Sequence, residues 1–349
     1  MAPNLIALDA TYSLGRNLSG VGVYSREMLF GLARAHPDAR FQYCYRTHRI
    51  LRSFRDSIPP NARRRILRGP PRAQVFHALN QRVDWPKAQR SSTERVVTTF
   101  HDLFVMTGEY SSPEFRARFA EQARAAAERS DLIIAVSHFT AGQVQNLLNV
   151  EPQRIRVIPH GVRVPHPTAT PPDKHDKLVL FVGAIQKRKN VARLVKAFER
   201  LPSPWRLVLA GSSEGYGAAE ELRAVAESPR REAILVRGYV SAPELEALYE
   251  RASIFAFPSL DEGFGMPVLE AMAHQVPVIT SNVSALPEVA GDAALLVDPR
   301  DTEALSDALT RLASDESLRQ DLIRRGTERA RQFTWESAME KTWAAYCEV

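Results

Sequence analysis

Two carboxylates, Glu262 and Glu270, bracket the run Gly263-Phe264-Gly265-Met266-Pro267-Val268-Leu269. A carboxylate accepts hydrogen bonds from neighbouring hydroxyls, as a sugar or a ribose presents them. Between the two lie a Gly-x-Gly turn and a proline, preceded by the apolar run Ile254-Phe255-Ala256-Phe257. That order reads as strand, loop and helix, with Pro267 suited to a first helical position. Backbone N–H groups gather at such a helix start, where the macrodipole favours an anion such as a diphosphate. Carboxylates flanking an anion cradle suit a sugar nucleotide. Taken alone, Glu262 reads better as a solvated loop acid, and Glu270 as a first-turn residue favoured by the dipole. Other parts of the chain shift that balance.

A second group lies near residue 185. The apolar run Leu178-Val179-Leu180-Phe181-Val182 ends at Gly183 and leads through Gln186-Lys187-Arg188-Lys189-Asn190 into a helical pattern. Three consecutive cations between a buried strand and a helix are placed to neutralise a diphosphate, or else form a solvated basic loop. No Asp-x-Asp occurs anywhere, so the usual paired-aspartate route to a divalent metal on a nucleotide diphosphate is missing. Cations and helix ends would do that electrostatic work, and no metal or cofactor is expected. The chain also lacks G-x4-G-K-[ST], which removes a P-loop reading.

In the first half, Val96-Val97-Thr98-Thr99-Phe100 ends in His101-Asp102. A histidine at a strand's carboxyl end can donate to a phosphate or sugar hydroxyl, with the acid orienting its ring; it can also simply cap a loop. His77, after Val75-Phe76, is a second strand-end histidine and reads more readily as structural. Ser19-Gly20-Val21-Gly22 precedes an amphipathic helix carrying Tyr24, Met28, Leu29 and Leu32. Such a glycine loop offers backbone donors to phosphate, or is an ordinary tight turn.

The elements that would position these residues alternate between strand and helix. Strand-like runs fall near 4–9, 41–45, 96–100, 132–136, 178–182, 206–210, 233–237, 254–257 and 276–279. Helical patterns are clearest at 113–129, 137–148, 191–200, 242–252, 301–313 and 316–332. Alternation of this kind predicts α/β domains with parallel sheets covered on both faces. A chain of 349 residues exceeds the size at which one core usually keeps growing. The proline-rich stretch 159–177 is the natural linker between two domains. Two doubly wound domains would bring their sheets' carboxyl ends to one cleft.

With 44% hydrophobic and 25% charged residues, the composition is that of a soluble globular protein. No stretch approaches the roughly 20 apolar residues of a spanning helix. The sequence enters a strand-like run at Asn4 without a basic n-region or cleavage site, so no signal peptide is expected. Two cysteines, Cys44 and Cys347, make no disulfide framework or metal-ligand spacing, which suits a reducing cytoplasm. Residues 1–160 hold 23 Lys+Arg against 13 Asp+Glu, and the remainder 23 against 27. Nine arginines fall between Arg46 and Arg72, opposed only by Asp56. They form either a solvated face or a contact for an anionic partner. Ile50, Leu51, Phe54 and Ile58 run among them at near-helical spacing, which favours a membrane surface over nucleic acid. The aromatic platforms that single-stranded RNA needs are missing there.

Jointly these motifs resemble a retaining glycosyltransferase of the GT-B fold, in glycosyltransferase family 4. The resemblance rests on Glu262 to Glu270, on Phe181-Val182-Gly183 through Arg188-Lys189-Asn190, and on Ser19 to Gly22. It extends to His101-Asp102 and to Ala285-Leu286-Pro287-Glu288-Val289 running to Val297-Asp298-Pro299. It implies an N-terminal acceptor-side domain (1–165 plus 333–349) and a nucleotide-sugar donor domain (166–332). The helix after Phe333-Thr334-Trp335-Glu336 would cross back onto the first domain.

By the same resemblance, Glu262 lies by the donor sugar's hydroxyls and Glu270 binds the ribose. Backbone amides of Gly263, Phe264, Gly265 and Met266 hold sugar and diphosphate, while Arg188 and Lys189 neutralise the leaving group. His101 sits near the transferred sugar, Gly20 and Gly22 near the phosphates, and Gly183 beside the donor. Tyr239 and Val240 belong to the segment that reads the base. One departure is Ala184, where many members carry arginine; Arg188 replaces that charge, as in members reading Arg-Lys-Asn.

The implied reaction moves a sugar from a nucleoside-diphosphate sugar to an acceptor hydroxyl with retention, the departing phosphate itself deprotonating the acceptor. The His101 to Phe104 segment and the 186–190 loop are most similar to members acting in bacterial surface-polysaccharide assembly, often mannosyltransferases. That implies GDP-mannose as donor, with UDP-sugars next, and a saccharide or lipid-linked saccharide as acceptor. It also implies a cytoplasmic protein, peripheral at the inner face of the plasma membrane. Two other classes stay open from the residues: a sugar-nucleotide epimerase of the GT-B fold, and a non-enzymatic basic adaptor for membrane or nucleic acid.

Overall fold

The computed structural model describes residues 2–15, 17–86, 92–165 and 176–349. The chain forms two compact units. Unit 1 takes Met1–Gly108, Ser112–Gly161 and Trp335–Val349, and unit 2 takes Glu109–Ser111 and Val162–Thr334. Of the proline-rich stretch read over 159–177, Pro167, Pro171 and Pro172 lie outside the described residues.

Unit 1 is built on seven strands: β1 (Leu5–Asp9), β2 (Arg40–Tyr45), β3 (Ala62–Ile66), β4 (Ala73–Ala78), β5 (Thr93–Phe100), β6 (Leu132–Ala135) and β7 (Ile155–Val157). They pair in parallel in the order β3-β2-β1-β4-β5-β6-β7. Leu8 lies between Tyr43 and His77 across the sheet, and His77 is opposite Val97. The order reverses between β1 and β4, the place where doubly wound sheets open a crevice beyond their carboxyl ends.

Its helices are α1 (Gly20–Ala35), α2 (Ile50–Ser53), α3 (Phe104–Thr107), α4 (Pro113–Arg129) and α5 (His138–Leu148). Short polar residues start the longer ones. Ser19, Ser112 and Ser137 each accept the amide three residues on, and Pro113 follows its cap directly.

Unit 2 repeats the plan with six parallel strands: β8 (Leu178–Val182), β9 (Arg206–Ala210), β10 (Ile234–Gly238), β11 (Ile254–Phe257), β12 (Val278–Ser281) and β13 (Ala294–Val297). Their order is β10-β9-β8-β11-β12-β13, so the reversal falls between β8 and β11. All four residues of β11 are buried, and its Phe257 stacks near Phe181 of β8 at 5.9 Å. Strands covered on both faces read as continuous apolar runs, which is why these were legible. The helices are α6 (Val191–Phe198), α7 (Ala218–Glu227), α8 (Ala242–Arg251), α9 (Met266–Ala273), α10 (Leu286–Ala290), α11 (Thr302–Ser314) and α12 (Glu316–Arg331).

The last helix, α13 (Trp335–Glu348), belongs to unit 1. It packs on α1, where Gly31 leaves room for the Met339 sulfur, and Trp343 stacks on His36 at 3.5 Å. Its Tyr346 hydroxyl reaches His77 Nδ1 at 2.6 Å. No helix among the described residues is long and apolar enough to cross a membrane.

Four strands are absent from the runs read off the sequence: β4, touched only through its strand-end His77, and three more. β3 is a polar edge strand reading Ala-Arg-Arg-Arg-Ile, β7 has three residues, and β13 is only partly buried. The amphipathic segment expected over Ile50 to Ile58 is also corrected. Its helix stops at Ser53, and Arg63, Arg64 and Arg65 sit in β3.

One backbone approach in unit 2 tolerates no side chain. Gly211 follows β9 with φ +151°, and a Cβ there would lie 2.0 Å from the Gly183 carbonyl oxygen. Gly211→Ala combines left-handed strain with a backbone clash, so a loss of about 3 kcal/mol or more is expected. Chemical denaturation checks this; an unchanged midpoint would contradict the packing.

Candidate active site

Two loops of unit 2 leave the sheet beside its reversal point and bring opposite charges together. The first follows β8. Gly183 takes φ +153°, and an added Cβ there would meet Phe181 and the Lys189 stem at 3.5 and 3.6 Å. A single tight turn over Lys187–Lys189 then leads to Asn190, whose left-handed φ of 59° starts α6. Asn is among the few residues that enter this region readily. The Asn190 side-chain amide donates to the carbonyls of Pro258 (3.0 Å) and Pro299 (2.7 Å), fastening the turn to the ends of β11 and β13. Of the three consecutive cations, Lys187 is exposed, whereas Arg188 and Lys189 turn inward and are buried.

The second loop follows β11. Glu262 is 7% exposed, and both its carboxylate oxygens are occupied. Oε1 accepts from Lys189 Nζ and from Ser259 Oγ, each at 2.5 Å, and Oε2 lies 2.8 Å from Arg188 Nη1. Arg188 also donates to the Asp261 carbonyl, and Lys189 Nζ sits 4.6 Å from the Phe257 ring centre. The loop after β12 holds the Glu262 backbone: its N–H donates to Ser284 Oγ (3.1 Å), and its carbonyl accepts from Ala285 (3.2 Å).

Burial alone would raise the Glu262 carboxyl, but the Arg188 and Lys189 charges, with hydrogen bonds from Lys189 and Ser259, outweigh it. They bring it down to about 2. Gly265 has φ +105°, and a Cβ there would lie 2.6 Å from Leu286 Cδ2. Helix α9 starts at the next residue, so the Met266 N–H opens onto this loop, followed by Pro267, which has no N–H to leave unpaired.

Glu270 lies on α9 in a different environment. The Tyr249 hydroxyl, from α8, donates to its Oε2 at 2.9 Å, and Tyr249 itself stacks on His274 at 5.1 Å. Burial pushes the Glu270 carboxyl up, with the Tyr249 hydrogen bond opposing. Tyr239 and Val240 follow β10, with Tyr239 about half exposed (47%).

Unit 1 carries the other group of sequence-picked residues. Gly20 is the first residue of α1, and the Gly22 amide already donates to the Ser19 cap at 3.3 Å. A Cβ on Gly22 would stand 3.0 Å from the Tyr12 carbonyl oxygen. His101 is buried; its Nε2 donates to the Leu79 carbonyl at 2.9 Å, and its Nδ1 lies 3.3 Å from His160 Nε2. These partners hold the two ring nitrogens, where the sequence pointed to Asp102 as the orienting group. Burial takes the His101 imidazole down to about 4, so it is neutral at neutral pH. Tyr24 meets it edge-on at 4.8 Å. His77 is fully buried in β4, bonded to Tyr346 and to Thr99 Oγ1 (2.8 Å), and burial lowers it to about 3. It is a structural histidine.

Sequence reasoning missed Ser259, Tyr249, Ser284 and His160. A serine three residues before a loop acid, or a tyrosine on an amphipathic helix, carries no signal without its partner in space.

Residues 18–164 match the family described as Glycosyltransferase Family 4, and residues 165–329 the one described as Glycosyl transferases group 1. The sequence is 35% identical over 267 residues to O-antigen chain mannosyltransferase B of Escherichia coli, covering 72% of this chain and 70% of that protein. The chain belongs to glycosyltransferase family 4. The serotype-specific mannosyltransferase WbdA of Escherichia coli is 28% identical over 261 residues, spanning 69% of this chain and 32% of its own length. The chain thus spans about a third of that longer relative. In structure this glycosyltransferase is similar to sucrose-phosphate synthase from Thermosynechococcus elongatus, with a TM-score of 0.81 over 99% of this chain and 98% of that one. At 22% identity the likeness is one of fold, and the fold is GT-B.

Two predictions follow from the charges of this glycosyltransferase. Glu262→Gln leaves two buried cations without their carboxylate, so about 3–5 kcal/mol of stability should be lost along with most transfer activity. Wild-type stability and turnover in the variant would refute the role of the pair. Acid should act in two stages. Below pH 6.5 the unfolded chain takes up protons that buried His101 and His77 refuse, so stability falls as pH drops toward their folded values near 4 and 3. Glu262 is ionised in the fold down to about 2 against an ordinary 4.5, so its contribution is present above 4.5 and is lost between 4.5 and 2. Denaturation at a series of pH values should show Glu262→Gln flattening the lower stage alone.

Proposed function

We propose that the enzyme transfers mannose from GDP-mannose to a hydroxyl of a saccharide acceptor carried on lipid. In this reading the anomeric configuration is retained and no metal takes part. The observation that carries the reading is the buried Arg188–Glu262–Lys189 cluster at the β8/β11 reversal of unit 2, beside the start of α9. A diphosphate placed there meets two cations already out of water and the positive end of a helix dipole, which stabilise charge as it develops on the leaving group. The C1–oxygen bond to the diphosphate breaks with its electron pair going to phosphate. The acceptor oxygen bonds C1 on the same face, and its proton passes to a phosphate oxygen.

Glu262, held ionised, keeps both cations in register and accepts from a sugar hydroxyl. Glu270 keeps Oε1 for a ribose hydroxyl while Tyr249 fixes Oε2. Mannose is favoured by the kinship with mannosyltransferase B and WbdA. Family membership favours transfer over the epimerase and adaptor classes.

Thermal shift with GDP, UDP and their mannose and glucose conjugates tests the donor. A larger shift with GDP species is expected, and stabilisation by UDP species alone would overturn the choice of base. Transfer in excess chelator, with the product's anomeric proton read by NMR, tests metal independence and retention together. Loss of activity in chelator, or an inverted linkage, would overturn the corresponding part. An epimerised donor formed without acceptor would replace transfer altogether. Lys189→Ala should weaken donor binding and turnover by roughly a hundredfold or more, as loss of a charge-stabilising donor does.

A further inference from the structure

The open edge of the unit-1 sheet is built from arginine and exposed hydrocarbon together. β3 is the edge strand, and the segment Arg46 to Arg72 around it carries nine arginines against one acid, Asp56. Two of the nine are committed to the fold. Arg46 pairs with Asp84 at 2.7 Å and lies 3.8 Å from Asp9, and Arg64 donates to the carbonyls of Ser53 and Asp56. Arg52, Arg55, Arg63, Arg65, Arg68 and Arg72 are exposed. Four arginines (Arg64, Arg65, Arg68 and Arg72) line an open groove of about 490 Å³. In the same segment, beside Arg52 and Arg55, Leu51 is 81% and Phe54 67% exposed, the two most exposed large apolar side chains among the described residues. The Arg64 guanidinium lies 5.0 Å from the Phe54 ring centre, so the ring is fixed at the surface beside a cation.

Arginines on an edge strand also deter pairing with other chains. That accounts for Arg63 and Arg65, but leaves Leu51 and Phe54 in water with nothing gained. A soluble polyanion would engage the guanidinium groups and leave the same hydrocarbon wet. An anionic bilayer satisfies both, because basic side chains meet the headgroup charge while apolar ones enter the acyl boundary. We propose that this edge, from Leu51 and Phe54 across the Arg68–Arg72 groove, docks the enzyme on an anionic lipid bilayer. The surface lies within unit 1 and does not depend on which donor is used. It differs from the amphipathic helix suggested by spacing, since the apolar contact comes from one helical turn and the charge from a strand edge.

Flotation of the full chain with vesicles of phosphatidylcholine, with and without phosphatidylglycerol, tests the proposal. Binding is expected only to the anionic vesicles and should weaken as salt is added. Arg68→Ala with Arg72→Ala should reduce partitioning about thirtyfold, at about a fivefold loss for each arginine removed. Leu51→Ser with Phe54→Ser should abolish the binding that persists in high salt. All four side chains are exposed, so unchanged melting temperatures are expected in both variants. No flotation at low salt would overturn the proposal, as would full binding by both variants. Retention on heparin or DNA without vesicle binding would overturn it in favour of a soluble polyanion.

Discussion

Glu262 is kept ionised in a place from which water is almost excluded, and the architecture of unit 2 around the β8/β11 reversal follows from that demand. A buried carboxylate is tolerated when cations and hydrogen-bond donors meet it at close range. Here the donors come from a different loop than the acid, so two chain segments far apart in sequence have to be held in mutual register. Asn190 does this by leaving the helical conformation at the start of α6 and spending its amide on Pro258 and Pro299. Ser284 and Ala285 fix the acid's backbone from a third loop. The left-handed glycine at 211 lets the loop after β9 approach the Gly183 carbonyl more closely than any side chain permits.

Two buried clusters, one in each unit, treat their ionisable groups in opposite ways. In unit 2 a charge is retained and surrounded by countercharge. In unit 1 the buried His77 and His101 are left neutral, and their nitrogens are matched to uncharged partners: Leu79, Thr99 and Tyr346 among them. Neutral polar groups bonded to one another cost less to bury than ions, and they fix side-chain orientation without a strong local field. The same sheet order thus supports one electrostatically loaded site and one cluster of neutral histidines.

The sequence made the parallel α/β plan legible because strands buried on both faces leave apolar runs, and Ser, Asp and Pro mark where helices begin. It also located Glu262, Glu270, Arg188 and Lys189, since charge placed between a strand and a helix is conspicuous. What stayed hidden was pairing. Nothing in the order of residues says that Arg188 and Lys189 share Glu262, or that Tyr249 selects Glu270. Nor does it say that His160 sits behind His101, because such contacts are set by loop geometry between distant segments. β3 was hidden for the opposite reason: an edge strand made of arginine has a polar pattern that mimics a loop.

Helix α13 gives the chain an order of maturation that its sequence order does not suggest. Tyr346 completes the hydrogen bonding of His77 in the middle of the unit-1 sheet, and Met339 and Trp343 cover α1. During synthesis the strands of unit 1 emerge first, yet their core stays short of these side chains until all of unit 2 has been made. Unit 2, continuous but for three residues, has its whole sheet in hand earlier. The unit whose strands come first in the chain therefore lacks its last helix until unit 2 has been made.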